Sequence, residues 1–331
     1  MKHAARWLSV AGLALAVALF AREDLSAIVA LLATAAAGLA IAGLSHVVSM
    51  TLNARAWQCV LPRATRPSLA AMTCAVWLRE SVNGLVPVAR IGGELVSYRL
   101  LARTRVSRAF AAGSLAVDMA VSLVSQLAFA LVGVALLVVR SDDRALTIDV
   151  AIAIGVLAAL AIAFIATQRR GIFERVARLA SRAWLGRLSA MVPMSRRIDR
   201  AIAATYRRPR ALVACFGWQL AGWIAGSIEI ALALAFLGHP VSATVAVAIE
   251  AVIQAVSSVA FAVPGALGVQ EGAFVVVGAM LGLDAPLSLA LAAARRVRDA
   301  VVFFPGLVAW YAIERAHEQR GADVRASGPV R

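Results

Sequence analysis

The sequence predicts an all-α, polytopic integral membrane protein with about six full spans and two re-entrant broken hairpins in an inverted repeat. Three observations predict it. Of 331 residues, 62% are hydrophobic and only 15% charged, whereas a soluble domain carries roughly 25% charged residues. The apolar residues fall in long runs, close to the ~20 residues that a spanning helix needs. Two of those runs are interrupted by proline, glycine and ionisable residues together, which an unbroken helix does not accommodate.

In chain order, the first span is expected over Trp7–Ala21 and the second over Leu25–Leu52, both free of internal charge. The basic start followed by an apolar run resembles a signal peptide. No cleavage site follows, and Arg22-Glu23-Asp24 leads straight into the next run, so an uncleaved span is the better reading. A basic loop carries Arg55, Arg63 and Arg66. The stretch Ser68–Val88 contains Arg79, Glu80, Asn83, Gly84 and Pro87 and then meets Arg90, Gly92, Gly93 and Glu94. Basic residues flank it on both sides, so this segment is expected to enter and leave the membrane by the same face.

Ala109–Val139 is a 31-residue run, roughly 46 Å long as a helix. Another span is expected over Ala145–Thr167. Residues 168–210 then form a basic loop whose arginines alternate with apolar residues, as in an amphipathic helix on the membrane surface. That loop would meet anionic lipid headgroups; the plainer reading is a solvated topology signal. The second half continues with a span at Ala211–Leu237. A run over Val241–Val263 breaks at residues 264–271 and resumes to Leu283. A last run, Ala285–Ile313, is interrupted by Arg295, Arg296, Arg298, Asp299 and Pro305-Gly306. Residues 314–331 are polar and expected to be a disordered cytoplasmic tail. The chain thus reads as one membrane domain, 1–313, with halves 1–140 and 145–313.

Placing the basic loops inside puts both termini in the cytoplasm and the weakly charged connections near 22–24, 140–144, 238–241 and 284 outside. This works only when 68–94 is a hairpin entered from inside and 241–283 one entered from outside. Each half then holds two spans, a broken hairpin and a third span, in opposite orientations. The breaks resemble each other: Pro87-Val-Ala-Arg-Ile-Gly-Gly-Glu94 beside Pro264-Gly-Ala-Leu-Gly-Val-Gln-Glu271. Paired broken helices in inverted repeats place a binding site near the bilayer midplane.

The net charge is +15, and every basic residue except Lys2 is arginine. These arginines lie in loops between apolar runs without a basic-aromatic recognition motif, so nucleic acid is not expected as a partner. Cys59, Cys74 and Cys215 lack CxxC spacing, and His3, His46, His239 and His317 are isolated in sequence. Neither a disulfide framework nor a metal site is expected, and no cofactor. Trp57, Trp77, Trp218, Trp223 and Trp310 sit near span ends, where interfacial anchoring accounts for them.

Ionisable side chains inside a membrane cost several kcal/mol unless paired or hydrated. Here they comprise Glu80 with Asn83; Arg90 and Glu94, one helical turn apart; and Glu250, Gln254 and Ser257 or Ser258 along one face. Gln270 and Glu271 follow the second break, and Arg295 and Asp299 repeat the four-residue spacing. Asp118 and Glu229 lie within spans. Arg90, Arg295 and Arg298 would contact a phosphate, and the breaks at Gly92, Gly93, Pro264, Gly265 and Gly268 would aim free N–H groups at it. Alternatively the charges pair and lock the hairpins together. For any single pair the two readings are balanced; for the whole set a hydrated pathway is favoured.

Asn83-Gly-Leu-Val-Pro-Val-Ala-Arg-Ile-Gly-Gly-Glu94, Val263-Pro-Gly-Ala-Leu-Gly-Val-Gln-Glu-Gly272 and Arg295-Arg-Val-Arg-Asp299 resemble the lysylphosphatidylglycerol synthase transmembrane-region family of flippase-like proteins. Within it they are most similar to hopanoid-biosynthesis-associated membrane proteins. The resemblance implies a bacterial inner-membrane protein that moves or handles a lipid. The family's best-known members also carry a cytosolic synthase domain; no such region is read here, so aminoacyl transfer is not expected. Translocation of an amphipathic lipid is the expected function. An intramembrane lipid-modifying enzyme and a non-transporting scaffold are the rivals, and no catalytic motif supports the first. The sequence leaves the lipid and the oligomeric state open.

Overall fold

The computed structural model describes residues 14–15, 17–23, 25–86, 92–138, 162–171, 174–176, 192–259 and 266–326, with a few positions between 152 and 159. All regular structure among the described residues is helical. The helices are α1 (Leu25–Val60), α2 (Leu69–Leu85), α3 (Gly92–Ala102), α4 (Arg108–Val138), α5 (Val192–Tyr206), α6 (Pro209–Phe236), α7 (Ala243–Val259), α8 (Val269–Met280), α9 (Ala285–Arg298) and α10 (Phe304–Ala326). A π-helical segment, Asp299–Phe303, joins the last two into one rod.

Three of these helices, α1, α4 and α6, are long and apolar enough to cross a membrane. Their outward faces carry Val29, Ile41, Leu44, Leu131, Val213 and Ile224, exposed as residues facing lipid would be. The spans expected at 7–21 and 145–167 lie largely outside the described residues. Helix α1 runs past the expected end at Leu52 because Ala54, Trp57 and Val60 bury completely against the bundle and hold the extra turns. Trp57, expected at the interface, is fully buried, and its Nε1–H donates to Ser114 Oγ on α4 at 3.3 Å.

Helices α1 and α6 form the central pair and run antiparallel. Ser49 Oγ donates to the Gly222 carbonyl at 2.8 Å, while Gly38, eleven residues earlier, packs against Phe236, fourteen residues later. In the repeat expected from the sequence these two helices would correspond, and their directions are opposed. The other contacts reciprocate. Helix α2 packs on α1 as α7 packs on α6, α3 lies on α2 as α8 lies on α7, and α4 meets α7 as α10 and the π segment meet α2. Two large apolar cores result, beside a small one of Leu78, Val82 and Val96. One joins Ile28 and Leu39 to Ile230, Ile249, Phe274 and Leu291; the other joins Met50 and Trp57 to Met72, Leu115, Cys215 and Phe303.

The second arm of each broken segment is short. Helices α3 and α8 have 11 and 12 residues, roughly 17–18 Å at 1.5 Å per residue, well under the ~30 Å hydrocarbon thickness. The first broken segment returns through α3 as far as Ala102, beyond the hairpin limit at 94 that the charge pattern suggested. The last rod does not break at Pro305-Gly306. The π segment just before it rearranges the carbonyl ladder, and the Trp77 indole N–H donates to the Val302 carbonyl at 2.7 Å. Residues 314–326, expected as a disordered tail, continue α10. Glu314 ties this extension to Arg103 at 2.9 Å and Arg99 at 3.6 Å.

Helix α5, the longest described part of the basic loop, is amphipathic as expected. Ala201 and Ile202 face the protein, packed with α4, while Met194, Arg196, Arg197 and Arg200 are exposed.

Candidate functional site

Buried ionisable groups from both halves meet in the middle of the bundle. Glu94 and Glu271 occupy equivalent places: each is the third residue of the short helix that follows a break. At that position a carboxylate lies near the positive end of the helix and within reach of its unpaired N–H groups. Glu271 Oε2 accepts from the Gly268 N–H at 2.7 Å, with Gly268 at φ +76°, where a side chain would be strained. Around Glu94 the neighbouring helix does the capping. Asn83 Oδ1 accepts from the Gly93 N–H at 2.9 Å, and Asn83 Nδ2 lies 3.4 Å from Glu94 Oε1. A Cβ on Gly93 would collide with the Arg79 carbonyl, so glycine there permits the close approach of α3 to α2. Both break glycines therefore spend their N–H groups inside the protein. Gly92 opens α3 and is half-buried. Arg90, Pro264 and Gly265 lie outside the described residues.

The expected pairs change partners. Asp299 does not pair with Arg295, four residues back. It accepts from Arg298 at 2.9 Å and from Arg296 at 3.3 Å, because the π segment turns it toward those side chains. Arg295 reaches instead to Glu250 on α7, whose other oxygen accepts from Gln254 at 2.7 Å. Arg296 also bridges to Glu271 at 2.7 Å. The polar face of α7 continues through Ser257, which accepts from Gln270, and Ser258, which meets Gln126 of α4 at 2.6 Å.

Five participants carried no site assignment in the sequence reading: His46, Arg79, Gln126, Gln219 and Arg296. Arg79 pairs with Asp118 at 3.2 Å, approaches Glu94 at 4.0 Å and lies over the Trp57 ring, while Gln219 donates to Asp118 at 2.9 Å. His46 lies between the halves. Its Nε2 is 3.1 Å from Glu80 Oε2, and its Nδ1 is 3.2 Å from Glu229 Oε2. Glu229 in turn meets Arg298 at 3.4 Å. A continuous chain thus runs Glu80–His46–Glu229–Arg298–Asp299–Arg296–Glu271. The signal for His46 was available, since it is the one ionisable residue inside the apolar run Leu25–Leu52.

Among the described residues the cluster holds seven carboxylates (Glu80, Glu94, Asp118, Glu229, Glu250, Glu271 and Asp299) against four arginines and His46. Arg295 and Arg298 are buried and each has a carboxylate partner. In this arrangement neither is open to a phosphate.

Long apolar helices around a buried ionic centre define an integral membrane protein. The chain belongs to the lysylphosphatidylglycerol synthase transmembrane region family, which it matches over residues 6–306. That membership supports a lipid-related function in a membrane. No curated protein and no solved structure matches the chain.

Proposed function

We propose that the protein moves an amphipathic lipid between the leaflets of a bacterial inner membrane, the headgroup passing between the two broken segments while the tail stays in lipid. The observation that carries this reading is the placement of Glu94 and Glu271 at equivalent positions of the two halves, each tied into the buried ionic centre. Burying so many charges is costly, and exchange of their partners for a passing headgroup gives the cost a use. The surplus of carboxylates over arginines favours a headgroup with positive charge, because phosphate alone would add to the surplus. The topology that fits the basic loops puts both termini in the cytoplasm, with the arginines of 168–210 toward anionic headgroups. The resemblance to hopanoid-associated members makes a hopanoid lipid one candidate cargo.

The test is transbilayer movement of labelled lipids in proteoliposomes. Glu94→Gln and Glu271→Gln are expected to slow it at least about tenfold, equivalent to ~1.4 kcal/mol. Wild-type rates in both variants would overturn the site assignment. A second reading, a static lock or scaffold, is favoured by the carboxylate partners of Arg295 and Arg298; it predicts that neutral substitutions leave function intact. A lipid-modifying enzyme would change the mass of its lipid, which mass analysis of the same liposomes detects.

A further inference from the structure

The contacts of His46 are chemically restrictive. A carboxylate oxygen only accepts hydrogen bonds, and a neutral imidazole has a single N–H. Nε2 is hydrogen-bonded to Glu80 of α2 at 3.1 Å, while the buried Nδ1 lies 3.2 Å from Glu229 Oε2 of α6 without meeting hydrogen-bond geometry to it or to any other group. With a neutral ring and two charged carboxylates, one of those contacts would set lone pair against lone pair in a buried site. One further proton removes the conflict.

We infer that Glu80, His46 and Glu229 form a proton-binding site in which the imidazole carries the bound proton and bridges two carboxylates. Two carboxylates on opposite sides of the ring favour the proton there, while Arg298 from α9, 3.4 Å from the same Glu229 oxygen, keeps that carboxylate charged but opposes a second positive charge beside it. Arg298 is itself held by Asp299 and lies over the Phe303 ring, which meets His46 edge-on at 5.7 Å. The charged groups facing His46 are therefore Glu80 of α2, Glu229 of α6 and Arg298 of α9, with Asp299 behind Arg298. On α4, Asp118 is taken up by Arg79 and Gln219.

The site joins the halves. Glu80 belongs to the first broken segment, while Glu229 and Arg298 belong to the second half. The bound proton holds this arrangement together. Its release sets acceptor against acceptor and favours separation of α2 from the central pair. This property goes beyond lipid translocation and does not require it; in a protein that moves lipid, it makes the proton a candidate coupling ion.

The test uses the full chain with His3, His239 and His317 replaced by Gln, so that His46 is the sole histidine, labelled with 15N and placed in lipid nanodiscs. At about pH 8 an ordinary histidine, with a pKa near 6.5, is neutral. The expected spectrum shows both ring nitrogens protonated at that pH. Glu80→Gln and Glu229→Gln are each expected to restore one protonated and one bare nitrogen. A bare nitrogen in the parent protein would overturn the inference, as would a ring that stays charged in both variants. Should either variant fail to fold, the parent spectrum still decides. No lipid gradient enters the measurement. A neutral ring therefore leaves the translocation reading standing, and a flat translocation assay leaves the proton site standing.

Discussion

Removing one charge from the Glu250–Arg295 pair tests whether the ionic centre is as dry and as tightly matched as its geometry implies. Both side chains are nearly inaccessible, at 2% and 3% exposure. Glu250 receives Arg295 on one oxygen and Gln254 on the other, and Arg295 lies over the Phe274 ring. Glu250→Gln keeps the shape and removes the charge, leaving a buried guanidinium without its counter-ion. Breaking a buried pair in this way costs about 3–5 kcal/mol, a large share of a total stability of ~5–15 kcal/mol. Replacing both partners, Glu250→Gln with Arg295→Met, removes the stranded charge and is expected to recover to within about 1–2 kcal/mol of the parent. The cycle should therefore show a coupling of at least ~2 kcal/mol. The assay is equilibrium unfolding of the four proteins in mixed detergent micelles. A single-mutant cost below about 1 kcal/mol, or costs that simply add, would refute the reasoning and mean that water already solvates the pair.

Three further outcomes follow from local geometry. Gly93→Ala drives a methyl group into the Arg79 carbonyl and the Asn83 side chain and should cost about 1–3 kcal/mol. Gly217→Ala, with open space around it, should be neutral or stabilising by up to ~1 kcal/mol; equal melting shifts for the two would sink the close-approach argument. Trp77→Phe leaves the Val302 carbonyl at the π segment without its donor and should lower stability by about 1–3 kcal/mol, read by thermal unfolding. Asp118→Asn takes the near carboxylate from Arg79, leaving Glu94 at 4.0 Å. A loss of roughly 3 kcal/mol is expected in the same unfolding assay, and a loss under ~0.5 kcal/mol would show that Arg79 finds another counter-charge.

Much of the scaffold is legible in the sequence, because a bilayer imposes a length and a polarity that single runs of residues must satisfy alone. The runs at 109–139 and 211–237 predict α4 and α6 to within a few residues, and the two proline-glycine breaks mark where the short helices begin. The paired glutamates can be found the same way, since their positions follow from local chain geometry. Less legible are features that need a neighbour. Trp57 stands near a span end and suggests an interface, yet Ser114 on another helix gives its N–H a partner inside the bundle. Pro305-Gly306 suggests a break, yet the π segment and Trp77 carry the helix through it.

What the sequence determines by itself is thus a membrane-embedded helical frame with ionisable groups set at its breaks. Which charge meets which was decided only by the tertiary structure. Helical spacing says that Arg295 and Asp299 share a face, but 45 residues separate Arg295 from the glutamate it reaches, and Glu80 and Glu229 meet His46 from different halves. In a low-dielectric interior the partner of a charge is set by which helices pack together, and spacing along the chain carries no record of that.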